Sequence, residues 1–305
     1  MNPQAFPVTN AFRGMRLDRF LQEMLPRMSR ASIQDAIATR VMLASGAEPK
    51  SSRRLTVGEI VTIAPREAAA LNDVAIPVLV ERAGWVVIDK PAGIASTPSA
   101  RRPGADVATQ LGLAPAHRLD RFTSGCLLLT RDAVTARFFD AAFRERRVEK
   151  EYVAVIEGSP ASDAFVIDAP LGPDTSSRVP GKVAAIASGV AACTRVEVIT
   201  RLGDRTLVRA RPLTGRRHQI RAHLAHAGHP IVGDLLYGGD ERRFIRFQLG
   251  QPVETPEGLM PGRHLLHAHR LAFTDPSGER IEVEAALPAD FGGDQNSSVI
   301  PQRTD

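Results

Sequence analysis

Apolar residues near the start of the chain recur with helical spacing: Leu17, Phe20, Leu21, Met24 and Leu25 fall at i, i+3, i+4, i+7 and i+8, the stripe of an amphipathic helix that begins at Arg16. Pro26 ends it, and Ser29 is placed to cap a second helix whose Ile33, Ala36 and Ile37 face the same small core. The pattern then shortens into β segments at 41–43 and 59–63 around a turn at Gly46. This predicts a small module over 14–64, two helices and a hairpin, followed by an Ala-rich linker at 65–75 without periodicity. Across 76–290 the pattern predicts strands at 85–89, 126–130, 152–157, 192–200, 206–211, 265–273 and 281–285, with helices at 133–146 and 218–227. Gly203-Asp204 joins two of these strands and Asp275-Pro276-Ser277-Gly278 joins two more, so neighbours are hairpin-connected and the sheet should be mainly antiparallel. The fold class expected is α+β, with a mobile polar tail at 291–305.

Composition narrows the class. The 305 residues are 43% hydrophobic and 24% charged, which excludes wholesale disorder and fibrous repeats. Lys plus Arg outnumber Asp plus Glu by 39 to 34, and only four of the basic residues are lysines. Arginine's planar fork suits phosphate, so the excess leans toward a nucleic-acid partner. It is concentrated in the first module, where eight basic residues between Arg16 and Leu55 face four acidic ones. Cys126 and Cys193 are too few and too far apart for a disulfide framework or a zinc ribbon, and are expected to be reduced and buried. The 74–88 stretch is broken by Pro77, Glu81, Arg82 and Gly84, so neither export nor membrane insertion is expected, and the protein is placed in the cytoplasm.

Three segments can carry chemistry. In the first, His117-Arg118-Leu119-Asp120-Arg121-Phe122-Thr123-Ser124-Gly125 precedes an apolar strand, and Asp120 between two arginines is placed to be an ionised, paired carboxylate or a structural salt bridge. The second, 215–224, carries three arginines and no acid, a field that favours an anion or a carboxylate partner. Its histidines do not make a metal site: His218 and His229 would lie about 16 Å apart along a helix. The third, Lys150-Glu151-Tyr152, places one of only two tyrosines on a strand, either as a packed aromatic or as a platform for a base.

The run RLDRFLQEMLPRMSRASIQDAIATRVMLASG at 16–46 resembles the S4-type RNA-binding domain, in which a helix pair presents basic residues to structured RNA. That resemblance makes Arg16, Arg19, Arg30 and Arg40 candidate RNA contacts. Further on, VVIDKPAGI at 86–94, HRLDRFTSG at 117–125, KEYVAVIEG at 150–158, GRRHQIRAHLAHAGHPIVGDLLYG at 215–238 and LLHAHRLAF at 265–273 together resemble the RluA family of RNA pseudouridine synthases, in family order. Departures fall at Thr97, where relatives often have His, at Arg217, where Thr is common, and at Phe122, where a polar residue is frequent.

The resemblance implies a mainly antiparallel catalytic domain and a reaction that isomerises uridine through a catalytic aspartate, Asp120, either as nucleophile at the ribose or as base. It implies Arg221 as the basic partner that keeps Asp120 ionised, Tyr152 as the aromatic on the flipped base with a possible part in deprotonation at C5, and Arg118 facing RNA. No cofactor and no metal are implied. The partner is RNA, with large-subunit ribosomal RNA favoured by the pairing with an S4-like module, and no obligate protein partner: a monomer is expected. Other readings remain open from sequence: a tRNA-directed synthase, a catalytically silent RNA-binding assembly factor, or a hydrolase using Ser124 with a nearby histidine, for which no Gly-x-Ser-x-Gly elbow is present.

Overall fold

The helical stripe read from the sequence buries one side of α1 (Leu17–Met24). The computed structural model describes residues 4–26, 28, 30–39, 41–63, 74–98, 106–248 and 251–291, and the chain divides into two units, Met1–Ala70 and Leu71–Asp305. Besides α1, the first unit holds β1 (Gln4–Pro7), α2 (Arg30–Thr39), β2 (Val41–Leu43) and β3 (Ile60–Ile63). Leu17, Phe20 and Leu21 of α1 meet Ile33, Ala36 and Ile37 of α2 over Leu55 and Val61. Strand β1 was not anticipated, since the sequence reading began this module at residue 14. It pairs antiparallel with β3 to give a sheet in the order β1-β3-β2, and Val8 just beyond it is buried. Four residues are too few to print a period-two pattern. The expected linker, apart from Val74 and Ala75, lies outside the described residues, as do Ser29 and Arg40.

The second unit comprises β4 (Val78–Glu81), β5 (Trp85–Lys90), α3 (Val107–Leu111), β6 (Ala114–Pro115), β7 (Ser124–Thr130), α4 (Ala133–Arg144), β8 (Glu149–Glu157) and β9 (Ala164–Asp168). It continues with β10 (Leu171–Pro173), β11 (Val183–Ala185), β12 (Cys193–Leu202), β13 (Arg205–Pro212), α5 (Gln219–His226), α6 (Glu241–Gln248), β14 (Leu266–Thr274) and β15 (Arg280–Glu284). One large sheet runs β4-β5-β7-β14-β8-β13-β12-β9, with β15 on β14 and β6 on β7. Every residue of β7 is buried, as a strand covered on both faces requires. The hairpin at Gly203-Asp204 and the turn at 275–278 form as read, the latter with Asp275 Oδ1 accepting the Ser277 and Glu279 N–H groups at 2.9 and 3.1 Å. The short elements β4, β6, β9, β10, β11, α3 and α6 were not read from the pattern.

Two expectations need correction. The tail was begun at residue 291, but Phe291 is buried, 5.5 Å from the Arg263 guanidinium and 6.1 Å from the His267 ring. An apolar ring next to a polar run was assigned to the run. Cys193, expected to be buried, is half-buried on a sheet strand, while Cys126 is buried as read.

One feature of the sheet fixes the site. All its strand pairs among the described residues are antiparallel except β7 with β14, which run parallel over Ser124–His267 and Gly125–Ala268. This seam brings the loop just before β7 beside β14, and β8 lies on the other side of β14. Gly125 sits there with φ +107°, and a Cβ on it would lie 2.3 Å from the Ala268 carbonyl oxygen and 2.7 Å from its nitrogen. Backbone cannot move aside as a flexible side chain can. Gly125→Ala should therefore cost about 3 kcal/mol, combining left-handed strain with overpacking, and urea unfolding measures it. A loss under about 1 kcal/mol would show that the seam yields and does not set the site.

Candidate active site

Asp120 lies in the loop preceding β7, Tyr152 on β8 and Arg221 on α5. The sequence reading named these three, and the fold places all of them on one cavity of about 840 Å³. That volume falls in the range of about 300–1,000 Å³ typical of ligand pockets. Arg118, exposed beside Asp120, lines the same cavity.

The loop is held from behind. Lys90, fully buried, donates from Nζ to the carbonyls of Pro91, Ile94 and Arg121 at 2.8, 2.9 and 3.2 Å. Burial, then the Arg263 charge, brings its ammonium down to about 7. Ser96 Oγ donates to the Leu119 carbonyl and accepts the Leu119 N–H, both at 3.0 Å. His117 accepts the Leu128 N–H at 3.1 Å through Nε2, so its part is to anchor the loop. Phe122, the apolar departure noted above, meets Phe247 of α6 edge-on at 5.7 Å and carries the Arg121 guanidinium over its ring at 4.9 Å.

Arg221 is buried and divides its guanidinium between two carboxylates. Its Nη1 donates to Asp120 Oδ2 at 2.7 Å, while Nε and Nη2 donate to the two oxygens of Asp234 at 2.7 and 2.9 Å. Asp234 was quoted within its segment but given no part; the signal was there, because an arginine-rich stretch with no acid asks for one from elsewhere in the chain. Asp234 Oδ1 also accepts the N–H groups of Leu236 and Tyr237, which fixes it rigidly. Burial acts to raise the Asp120 carboxyl, but the Arg221 charge outweighs it and holds the group well below the usual carboxylate range. Asp234 behaves likewise, with burial opposed by Arg221 and a net value of about 2.

His218 and Tyr237 complete the surroundings and were not read as functional. Tyr237 Oη accepts the Val183 N–H at 3.3 Å and lies 3.1 Å from His218 Nδ1. The other ring nitrogen, Nε2, faces Asp120 Oδ1 at 3.7 Å. Burial keeps the ring neutral, with a value of about 4 despite the pull of Asp120. Asp120 Oδ1 takes no hydrogen bond from the described residues and so remains available. Tyr152 is raised above the ordinary phenol range by burial first and then by Asp120, so it stays a phenol at neutral pH.

Other polar residues of these segments belong to the scaffold. Gln219 uses all its bonding capacity to hold the 214–219 loop, accepting from Thr214 and Arg216 and donating to Cys193 and Thr194. His223 lies between Thr194 Oγ1 and the Ala169 carbonyl. Ser124 does meet a histidine, His267 Nδ1 at 2.9 Å, but both are buried and neither lines the cavity, so the hydrolase reading has no access to substrate. In the first unit Arg16, Arg19 and Arg30 are all exposed, and Arg16 also pairs with Asp18 at 2.7 Å. No helix among the described residues is long and apolar enough to cross a membrane.

An ionised carboxylate with one free oxygen, beside an aromatic ring and an arginine-rich wall, is a site for a nucleoside carried on a polyanion. A family model described as RNA pseudouridylate synthase matches residues 84–226. The chain is 32% identical over 303 residues to an uncharacterized RNA pseudouridine synthase of Chlorobaculum parvum, covering 91% of this chain and 92% of the relative. It is 33% identical over 302 residues to a protein of Xanthomonas campestris called ribosomal large subunit pseudouridine synthase D, covering 93% of this chain and 89% of the relative. A solved structure, human RNA Pseudouridylate Synthase Domain Containing 1, is similar with a TM-score of 0.56 at 25% identity, covering 73% of this chain and 86% of that one. The chain belongs to the RluA family of RNA pseudouridine synthases, isomerases that turn uridine in RNA into pseudouridine.

The shared arginine has a consequence for acid stability. A carboxyl held at about 2 in the folded state adds stability that is present above about pH 4 and lost as pH falls through 2. Wild type should therefore lose about 2 kcal/mol more than Asp234→Asn between those values, and the variant should already be weaker by about 3–5 kcal/mol at pH 7. Urea midpoints over this pH range measure both; parallel pH curves would show that Asp234 is not the group gripping Arg221.

Proposed function

We propose that this synthase acts on large-subunit ribosomal RNA in the cytoplasm, with Asp120 as the catalytic carboxylate, Arg221 as its basic partner and Tyr152 as the ring against the flipped base. The observation that carries the assignment of residues is the split guanidinium of Arg221, which keeps Asp120 ionised while occupying only Oδ2. Oδ1, left unbonded by Arg221 and 3.7 Å from His218 Nε2, is the reacting oxygen, whether it attacks C1′ or removes a ribose proton. In either route the N1–C1′ bond breaks, the uracil turns within the pocket, C5 bonds to C1′, and the C5 proton is replaced by one at N1. Atoms and electrons balance within the substrate. What the protein supplies is position, a retained base and a local charge.

The choice of RNA rests on the Xanthomonas campestris relative named for the ribosomal large subunit and on the two-unit organisation, with the first unit as an S4-like arm. Within that arm Arg19 and Arg30 are the better placed contacts, since Arg16 is committed to Asp18; Arg118 serves at the cavity. A tRNA substrate is the competing reading. Mapping pseudouridine in ribosomal RNA and tRNA from cells with and without the gene decides between them: a missing modification confined to tRNA would refute the ribosomal assignment.

Asp120→Asn should fold normally and form no pseudouridine, because the amide keeps the shape and removes the anion. Arg221→Ala should be nearly as damaging, and Arg221→Lys should keep partial activity, having charge without the fork. Single-turnover rates at saturating enzyme test both; a wild-type rate for Arg221→Ala would make Arg221 a binding contact only. Separately, Arg19→Gln combined with Arg30→Gln should lower the slope of log affinity against log salt by about 0.7–0.9 per charge removed. An unchanged slope would take the first unit out of RNA binding.

A further inference from the structure

Eight basic and four acidic side chains line the cavity. Arg144, Arg211, Arg221 and Arg270 each hold a carboxylate, and all four acids are paired in this way or by a further arginine. Arg118, Arg146, Lys150 and Arg216 have no carboxylate partner among the described residues. The cavity therefore keeps a surplus of cations that the protein itself leaves uncompensated.

Two of them stand out on independent grounds. Lys150 is half-buried on β8, two residues before Tyr152, so the two side chains share a face about 7 Å apart along the strand. The contact of its Nζ is to the Thr214 carbonyl at 3.4 Å, a weak return for burying an ammonium. Burial, and then the charge of Arg146, pull that ammonium below the ordinary lysine range. Arg146 follows α4, where its N–H reaches the Phe143 carbonyl and the next N–H reaches that of Ala142, the paired bonds of a helix end whose left-handed residue is usually glycine. Its φ is +59°. Only Arg146 and His218 adopt positive φ without being glycine among the described residues, and both line this cavity. A position that favours glycine thus carries an arginine, and strain of this kind gathers at functional sites.

We propose that Lys150 and Arg146 form a phosphodiester subsite that grips the backbone phosphate adjoining the target nucleotide. This rests on the reading of the cavity as the RNA site and adds to it where the backbone is held. The separation of Lys150 from Tyr152 is one that a single nucleotide spans, so a base against Tyr152 brings a neighbouring phosphate to Lys150. The phosphate supplies the negative charge that both cations lack, and Arg146 accepts a strained backbone in order to reach it.

The test uses full-length wild type, Lys150→Gln, Arg146→Gly and, as a charge control on the outer β12, Arg201→Gln. Binding to large-subunit ribosomal RNA from cells lacking the gene is followed over a potassium chloride series, with pseudouridine formation by wild type read in parallel. Lys150→Gln and Arg146→Gly should each weaken binding several-fold and lower the salt slope by about 0.7–0.9, while Arg201→Gln leaves the slope alone. Arg146→Gly should also melt at a higher temperature than wild type, because glycine suits the left-handed position. Weaker binding together with greater thermal stability is a signature that a merely structural arginine does not give. Unchanged slopes for Lys150→Gln and Arg146→Gly, or a lower melting temperature for Arg146→Gly, would overturn the subsite. A wild type that forms no pseudouridine on this RNA would instead overturn the ribosomal reading, and the slopes would still judge the subsite.

Discussion

A single buried guanidinium shared by two carboxylates governs this active site. Had Arg221 only Asp120 to hold, its fork would close over both carboxylate oxygens and leave neither unbonded. Asp234 takes the two-pronged contact at 2.7 and 2.9 Å, leaving Asp120 one bond through Oδ2. The three side chains together hold one uncompensated negative charge, and it resides on the residue that faces the cavity. Asp234, with a side chain only 1% exposed, bears on Asp120 through the arginine that both carboxylates share.

That arrangement depends on three segments far apart in sequence meeting within bonding distance, and the sheet makes this possible through the parallel junction of β7 and β14. By joining β7 to β14, the fold sets the loop carrying Asp120 over the strand next to β8, and α5 returns from β13 on the other side of β8. Gly125 permits the approach; Lys90 and Ser96 fix the loop once it is made. Each of these residues is buried or backbone-bound, so their common effect is to remove freedom from the loop before substrate arrives. Positioning of this kind lowers the entropic cost of the reaction.

Legibility in the sequence followed the range of the interaction. Elements set by local chemistry were readable: α1 by its stripe, α4 by its stripe, the β12–β13 and β14–β15 hairpins by their turns. The β7–β14 parallel pairing was not, because hairpin reasoning sees only strands adjacent in the chain. Strands of three to five residues such as β9, β10 and β11 are too short for periodicity. Asp120, Tyr152 and Arg221 were reached through the family resemblance, whereas Asp234 and His218 take their parts from geometry: one from lying opposite a fork, the other from a left-handed backbone and a tyrosine nineteen residues on. The Arg16–Asp18 clamp was legible in principle from spacing, but charge counting treated each arginine as free.

The histidines show why arginine does the work of charge here. His117, His218 and His264 all lie near the loop, and burial brings them to about 3, 4 and 3, so each is a neutral hydrogen-bonding ring at physiological pH. None can then compete with Arg221 for Asp120 or reverse the sign of the cavity as pH varies around neutrality. An imidazolium at His218 would place a second cation beside Asp120, against its Oδ1. Burial works against that state and holds His218 at about 4. Beside Asp120 the persistent charge is carried by a guanidinium that does not titrate, and these three imidazoles are buried deeply enough to stay neutral.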